Sequence, residues 1–547
     1  MSSSSETNSK LDSPSQVQEG SKNDQFVDRS QLKKELDEAP VAAAEIPQSG
    51  SSYWFSAMMT LLISFGGFVY GWDTGSIGGF TNMPDFVQRF GTWSESEQTY
   101  VMTKVRQGLV ISIFSIGCAV GSTTLSKVGD VYGRKKGIML TMVVYIVGIV
   151  IQIASVSSWI QYFIGRIVAG LAVGSISVLC PMFISETSPK AIRGALVSSY
   201  QLMITLGIFL GYCCVYGTYH SYDGSKQWRI PLGLCFAWAL FLIFGMTFMP
   251  ESPRYLVEKQ KIEEAKKSIA KVNKCAVDSA FTLQEVNNLI DGIETERLAG
   301  NASWNEMFTG KPKLFYRLFV GIMLQSLQQL TGDNYFFYYG TTIFKSVGLN
   351  DSFQTSIILG IVNFASTFPS LWIVDRFGRR KTLLGGCFGM MISLVIYASL
   401  GYKSLYAGEF GVDPNKSVGD AMIFLSCLFI FFFATTWGPC VFVVVSETYP
   451  LRIRSKGMGL AQTSNYIWGF LIAFFTPFIN GAIHFAYGYV FFGCVVFATF
   501  FVYACVPETK GLSLEDVDDL YRHFTPGMAF RKEYSSTADE EENKESN

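Results

Sequence analysis

The chain has 547 residues, of which 49% are apolar, 15% aromatic and only 16% charged, against roughly 25% charged in a soluble globular protein. Its 43 Lys and Arg nearly cancel its 44 Asp and Glu, leaving a net charge of −1; that balance excludes a basic nucleic-acid binder and an acidic disordered protein. The apolar excess lies in long runs such as FSAMMTLLISFGGFVYG and MVVYIVGIVIQIASV, which mark a membrane protein rather than a string of soluble domains.

Residues 1–52 are rich in Ser, Lys, Asp, Glu and Gln with no apolar run, the composition of a disordered tail without a signal peptide. A helix needs about 20 mostly apolar residues to cross a bilayer. Such runs fall near 55–80, 108–126, 137–156, 159–182, 194–217 and 229–249, which makes 53–249 a six-helix bundle. Residues 250–313 are polar, with helical patches such as IEEAKKSIAKV, and read as a cytoplasmic helical linker. A second set near 314–345, 353–373, 382–400, 421–446, 457–480 and 485–506 makes 314–506 a second six-helix bundle, followed by a cytoplasmic tail over 507–547 that ends in DEEENKES. None of the runs alternates as barrel strands do, so the expected class is an all-α membrane protein of twelve transmembrane helices.

The short loops after spans 2, 4, 8 and 10 carry Lys127, Arg134, Lys135, Lys136, Lys190, Arg193, Arg376, Arg379, Arg380, Lys381, Arg452, Arg454 and Lys456, and the loops after spans 3 and 11 carry no Lys or Arg. This bias places both termini and the linker in the cytoplasm. Asn350 and Asn415 then open sequons on the outside and are candidate glycosylation sites, whereas Asn301 faces inside. Ten of the eleven Cys lie in or beside spans as small apolar packing residues, and His220, His484 and His523 are far apart, so neither type suggests a metal site.

The two halves repeat each other. DVYGRKK at 130–136 returns as DRFGRRK at 375–381, SETSPKAIR at 185–193 as SETYPLRIR at 446–454, and PES at 250–252 as PET at 507–509. Motifs in the same order on the same side indicate parallel repeats related by an axis along the membrane normal, with a binding site expected between them near the midplane. Positive-inside bias accounts for the Arg and Lys of these motifs but not for their carboxylates. Asp130, Glu186, Glu251, Asp375 and Glu447 face Arg134, Arg193, Arg254, Arg379 and Arg454 across short loops. Such groups can pair when the cytoplasmic side is closed and part when it opens, and they are expected to act as a gate.

At these residues the chain resembles the sugar porter family of the major facilitator superfamily, and its yeast-type hexose transporters most closely. The markers are DxxGR followed by Lys or Arg in both halves, PESPR at 250–254, PETKG at 507–511, QQLTGDN at 328–334, FGGFVYGWDTG at 65–75 and ATTWGP at 434–439, and the resemblance covers about 55–520. It implies the major facilitator fold and a monosaccharide substrate.

A neutral, hydroxyl-rich sugar needs groups that both donate and accept without charge, as Asn and Gln amides do. Amides lie within spans at Gln201, Gln325, Gln328, Gln329, Asn334, Asn363 and Asn465. Gln328 and Asn334 are about 120° apart on an ideal helix, so both reach one ligand only if the helix breaks, and TGD at 331–333 offers the break. The same logic applied to YGWDTG at 70–75 predicts a broken first span. An amide in a span often simply bonds a neighbouring helix. The resemblance implies sugar contact for Gln201, Gln328, Gln329, Asn334, Asn363 and Asn465, and leaves Gln325 as packing. Aromatic faces pack on pyranose rings; of Phe433, Trp437, Phe442, Tyr466 and Trp468, the resemblance singles out Phe442, which stands where animal carriers have a sugar-stacking Trp, while Ala434 stands where they have a Glu.

Asp73 and Arg166 are charges inside spans and are expected to pair. In proton-coupled relatives this pair drives symport, while yeast facilitators keep the aspartate too, so a fixed ion pair and a coupling site both stay open. The reading is a plasma-membrane hexose facilitator working by alternating access. Its partners are a neutral sugar (glucose, with fructose, mannose, galactose and xylose as alternatives) and the lipid bilayer, with no nucleic acid, no cofactor and no enzymatic step. A proton symporter using Asp73 and Arg166 and a transporter-like glucose sensor are the alternatives. Ser and Lys residues of the tail, including Lys10, Lys22, Lys33 and Lys34, are candidates for control by ubiquitination and endocytosis.

Overall fold

A computed structural model describes residues 50–95, 98–189, 192–298, 304, 306–337, 352–405, 416–450, 453–512, 514–525, 527 and 529. Asn301, Asn350, Asn415 and the N-terminal Ser and Lys residues lie outside them. The first half comprises α1 (Gly50–Phe80), α2 (Pro84–Phe90), a hairpin of β1 (Thr92–Ser94) and β2 (Thr99–Val101), α3 (Lys104–Thr123), α4 (Val128–Tyr132), α5 (Arg134–Ile153), α6 (Trp159–Thr187), α7 (Arg193–Ser221) and α8 (Lys226–Phe248). Between the halves lie α9 (Pro253–Glu258), α10 (Ile262–Asn273), α11 (Ala280–Leu298) and α12 (Glu306–Thr309). The second half comprises α13 (Leu314–Leu330), α14 (Ser352–Phe377), α15 (Arg379–Leu400), α16 (Lys416–Phe432), α17 (Gly438–Thr448), α18 (Arg454–Ile483) and α19 (Tyr487–Cys505), and α20 (Leu514–His523) follows it.

Ten helical stretches are long and apolar enough to cross a membrane, and one of them, Arg454–Cys505, holds both α18 and α19. With the 17-residue α13, the spanning segments among the described residues reach twelve, the number expected from hydropathy. Phe241, Phe244, Phe248, Trp372, Phe388, Phe497 and Phe500 point outward as bare apolar surface, which is stable only against hydrocarbon.

The bundles meet along two helix pairs that occupy equivalent places in the repeat, α3 against α18 and α7 against α14. Helices in lipid approach closely where small residues line the crossing, and Ser122 Oγ lies 2.8 Å from Thr463 Oγ1 at the first of these. The linker helices bury a small core of their own, with Leu256, Val257, Ala265, Ile269, Leu283, Val286, Ile290 and Ile293. α20 docks on the same face: Arg317, fully buried at the start of α13, pairs with Asp518 and lies 4.3 Å from the Tyr521 ring.

One expectation fails. The first span does not break at YGWDTG, because α1 runs unbroken from Gly50 to Phe80. Its glycines serve close approach instead. A Cβ on Gly71 would sit 2.0 Å from the Ile204 carbonyl oxygen, and one on Gly75 2.5 Å from that of Ile208. The missing side chains let α1 and α7 pack backbone to backbone, and helix geometry is retained. The break expected at TGD is present. α13 ends at Leu330, Gly332 adopts φ +93°, and helix resumes at Asp333. That positive φ favours glycine and turns the chain within the bundle.

Candidate functional site

Where the bundles face each other, side chains from both enclose a cavity of about 50 Å³, room for a few waters at roughly 10–15 Å³ each. A hexose therefore needs the halves to part or the amides to swing. Gln201, Gln328, Gln329, Asn334, Asn363, Phe442 and Asn465 all line the cavity. The break at Gly332 brings Gln328 and Asn334 to the same space, as the helix-angle argument requires.

The amides bond one another into a chain. Asn465 Nδ2 donates to Gln328 Oε1 and to Gln325 Oε1, each at 2.8 Å, and Gln329 Nε2 donates to Asn465 Oδ1 at 3.0 Å. Asn334 Nδ2 donates to Gln329 Oε1, and Gln328 Nε2 donates to the Trp437 and Gly438 carbonyls at 3.1 and 3.0 Å. These carbonyls lie at the end of the wide turn Phe433–Trp437, where it passes into α17, so the turn positions Gln328. Gln325 does not line the cavity; it bonds Asn465 from behind and reaches Gln462 Oε1 at 3.3 Å, a packing role that also orients a lining residue. A bonded amide chain satisfies itself when no ligand is present and can exchange partners with sugar hydroxyls.

Sequence reasoning missed several lining groups: Tyr70, Thr74, Ser177, Tyr200, Asp333 and Gln462. The oxygens Asp333 Oδ1, Asn363 Oδ1, Thr74 Oγ1 and the Tyr200 hydroxyl are buried without a hydrogen-bond partner among the described residues. Unpartnered buried oxygens are costly and suit a ligand rich in O–H donors. Single hydroxyls carry no periodic signal, so only their convergence reveals them. Of the aromatic candidates, Phe433, Phe442 and Tyr466 line the cavity. Trp437 is instead fully buried with Nε1 donating to the Leu383 carbonyl at 3.0 Å, and Trp468 faces a groove beside α13 and α19.

Arg166 Nη1 reaches both oxygens of Asp73 at 2.7 and 2.6 Å, off the cavity wall. The pair joins α6 to an unbroken α1, so it does not cap a helix break. On the face that carries the linker, Arg134 bonds Glu186 with Nε and Nη2, both at 3.1 Å, and lies 3.5 Å from Asp130. The second half repeats this with Arg379, which bonds Glu447 at 3.1 and 2.7 Å and Asp375 at 3.2 Å. Glu251 accepts from the Lys135 amide at the start of α5 at 3.0 Å, and Glu508 accepts from the Arg379 and Arg380 amides at the start of α15 at 2.8 and 3.1 Å. Carboxylates at helix N-termini are favoured there by the free amides and the helix dipole, which gives PES and PET their physical reason. Ser252 and Thr509 donate to Glu186 and Glu447 and complete the equivalence. Arg254 acts on Glu186 by charge, Arg193 opens α7, and Arg454 donates to the Tyr449 carbonyl. These ion pairs lie within halves; among the contacts that cross between halves, Asp375 accepts from the Ala195 amide and Asp130 from the Ser455 hydroxyl, each at 3.1 Å.

Residues 59–521 match the family model described as "Sugar (and other) transporter". The chain belongs to the sugar transporter family. Within it, the chain is 60% identical over 478 residues to the high-affinity hexose transporter HXT6 of Saccharomyces cerevisiae, covering 87% of this chain and 84% of that one. It is 55% identical over 521 residues to the low-affinity glucose transporter of Kluyveromyces lactis, covering 94% and 91%. Among solved structures, the proton:xylose symporter XylE bound to 6-bromo-6-deoxy-D-glucose superposes with a TM-score of 0.73 at 27% identity, over 86% of this chain and 99% of that one. The family membership and the superposition agree with the expected major facilitator fold.

Proposed function

We propose that this sugar transporter moves hexoses down their gradient across the plasma membrane, with the linker and both termini in the cytoplasm. The observation that carries the reading is the cavity between the bundles, lined by amides from α7, α13, α14 and α18, hydroxyls, the Asp333 carboxylate, three Phe rings and, among the described residues, no Lys or Arg. Amides and hydroxyls bond a neutral polyol from both sides, and the Phe442 and Phe433 rings offer apolar faces to a pyranose. A site without cations gives an anionic substrate nothing to pair with.

Alternating access follows from the repeat. The halves rock about the cavity, and the contacts of Asp130 with Ser455 and Asp375 with Ala195 break as the linker face opens. Arg134, Arg379 and their carboxylates keep each half rigid through the motion. Such motion performs no covalent chemistry, and we read the chain as a carrier rather than an enzyme.

One observation favours a second reading, a proton-coupled monosaccharide symporter: Asp73 and Arg166 form a buried pair, and the superposed structure is named a proton:xylose symporter. Expression in a yeast lacking its own hexose carriers tests both. Growth on glucose, fructose, mannose, galactose and xylose reads the substrate range. Uptake in proteoliposomes that is unaffected by a protonophore supports the facilitator, and uptake abolished by it supports the symporter.

A further inference from the structure

Trp304 stands between α11 and α12, at the mouth between the two bundles on the linker face. The Lys127 ammonium lies 5.7 Å from its ring centroid and the Lys456 ammonium 5.5 Å. Lys127 follows α3 in the first half, and Lys456 belongs to α18 in the second. The same ring covers a cavity of about 240 Å³ bounded by Ser122, Ser126, Asp130, Ser455 and Gly459, next to the Asp130–Ser455 contact that crosses the halves. The Asp130 carboxylate in the same cavity interacts with the Lys456 charge, and the Trp304 ring within reach of both lysines adds a cation–π contact to each half.

We propose that Trp304 is a positioning residue for transport, clamping Lys127 of the first half to the second half and so favouring the state closed on the linker face. The clamp rests on the alternating-access reading above. Met307 N donates to the Trp304 carbonyl at 3.2 Å, which ties the ring to α12 and through it to α13. As the halves part, Trp304 stays with Lys456 and leaves Lys127. The linker thereby acts on the equilibrium through one ring. A single exposed contact of this kind corresponds to a ~2–5-fold change in the ratio of two states.

The test uses the full-length transporter carrying Ser198→Cys as reporter. Ser198 is buried one helical turn from Gln201 on the linker side of α7, away from Trp304, so a thiol there reacts with an impermeant maleimide when that face opens. Labelling is measured in sealed vesicles from each face separately, against the same protein without the reporter. W304A and K127M should each label ~2–5-fold faster than the parent, W304F should label at the parent rate, and K456M should rise less than K127M. W304A at the parent rate, W304F as fast as W304A, or K127M at the parent rate would each overturn the clamp. If W304A does not fold, K127M carries the test with the same expected rise. Parent labelling that sugar leaves unchanged would instead overturn alternating access, so the two failures are distinguishable.

Discussion

Arg166 and Asp73 meet through one guanidinium nitrogen that contacts both carboxylate oxygens at 2.7 and 2.6 Å, with both side chains shut off from solvent inside the first bundle. The pair bridges α6 and α1 off the wall of the cavity between the bundles, and the Arg166 guanidinium also lies 4.6 Å from the Phe114 ring. Removing one partner leaves a buried charge, a loss of roughly 3–5 kcal/mol. Asp73→Asn is therefore expected to lower the melting temperature of the purified transporter and its yield at the surface. In the fraction that folds, uptake should remain insensitive to a protonophore. Thermal melts paired with proteoliposome uptake check both statements.

Asn465 joins Gln325, Gln328 and Gln329. Asn465→Ala should raise the half-saturation for sugar by about tenfold, the equivalent of about 1.4 kcal/mol for a buried polar contact. Gln325→Ala, which touches no ligand directly, should raise it less, because it frees Asn465 to rotate. Equal effects of the two changes would argue against this order of contacts. Uptake kinetics at matched surface expression decide it.

Phe442 lies 6.0 Å from Tyr200, ring to ring, at the cavity wall. Phe442→Ala should weaken sugar uptake by about 2–13-fold in half-saturation, the range of about 0.5–1.5 kcal/mol for an aromatic contact. Phe442→Trp keeps an apolar face and should retain uptake. Competition with deoxy-sugars would report which side of the pyranose the ring meets.

The crossing of α1 and α7 admits no methyl at Gly71, where backbone and not a flexible side chain is the obstacle. Gly71→Ala should push the helices apart and abolish surface expression. Gly217→Ala, where an added Cβ meets nothing within 4 Å, should be tolerated. Fluorescence of a tagged protein in the membrane reads the difference.

Asp85, on the short α2 outside the spans, accepts from Arg89 Nε at 2.7 Å and Trp228 Nε1 at 2.9 Å. Burial works against its charge, but those hydrogen bonds and the charges of Arg89 and Arg229 outweigh it and hold the carboxyl below the usual Asp range. A depressed value means that its stabilisation is present above the unfolded Asp value of about 3.9 and is lost as pH falls through the lower folded value. Asp85→Asn should lower the melting temperature at pH 6, with the difference from the parent shrinking as pH drops below about 4. A difference that stayed constant across that range would contradict the assignment.

How far the sequence reached is clear from particular residues. TGD announced its helix break because only glycine adopts φ near +93° without strain. The twelve spans were legible because hydropathy acts locally over about 20 residues. The repeat of DxxGR and PE[ST] foretold that Arg134 and Arg379 would have equivalent partners, since parallel repeats place equal residues at equal positions. YGWDTG misled because a glycine that permits a break and a glycine that permits close packing look the same in one dimension.

By itself, then, the sequence determined what a one-dimensional pattern encodes: membrane spans from hydropathy, two halves from repetition, and a set of amides placed within the spans. Only the tertiary structure decided which groups meet. It placed Gln325 behind Asn465 and not on the cavity, sent Trp437 and Trp468 away from it, brought Asp333 and Thr74 into its wall, and set Trp304 between two lysines from opposite halves. Such meetings depend on the crossing of helices far apart along the chain, and no local pattern carries that information.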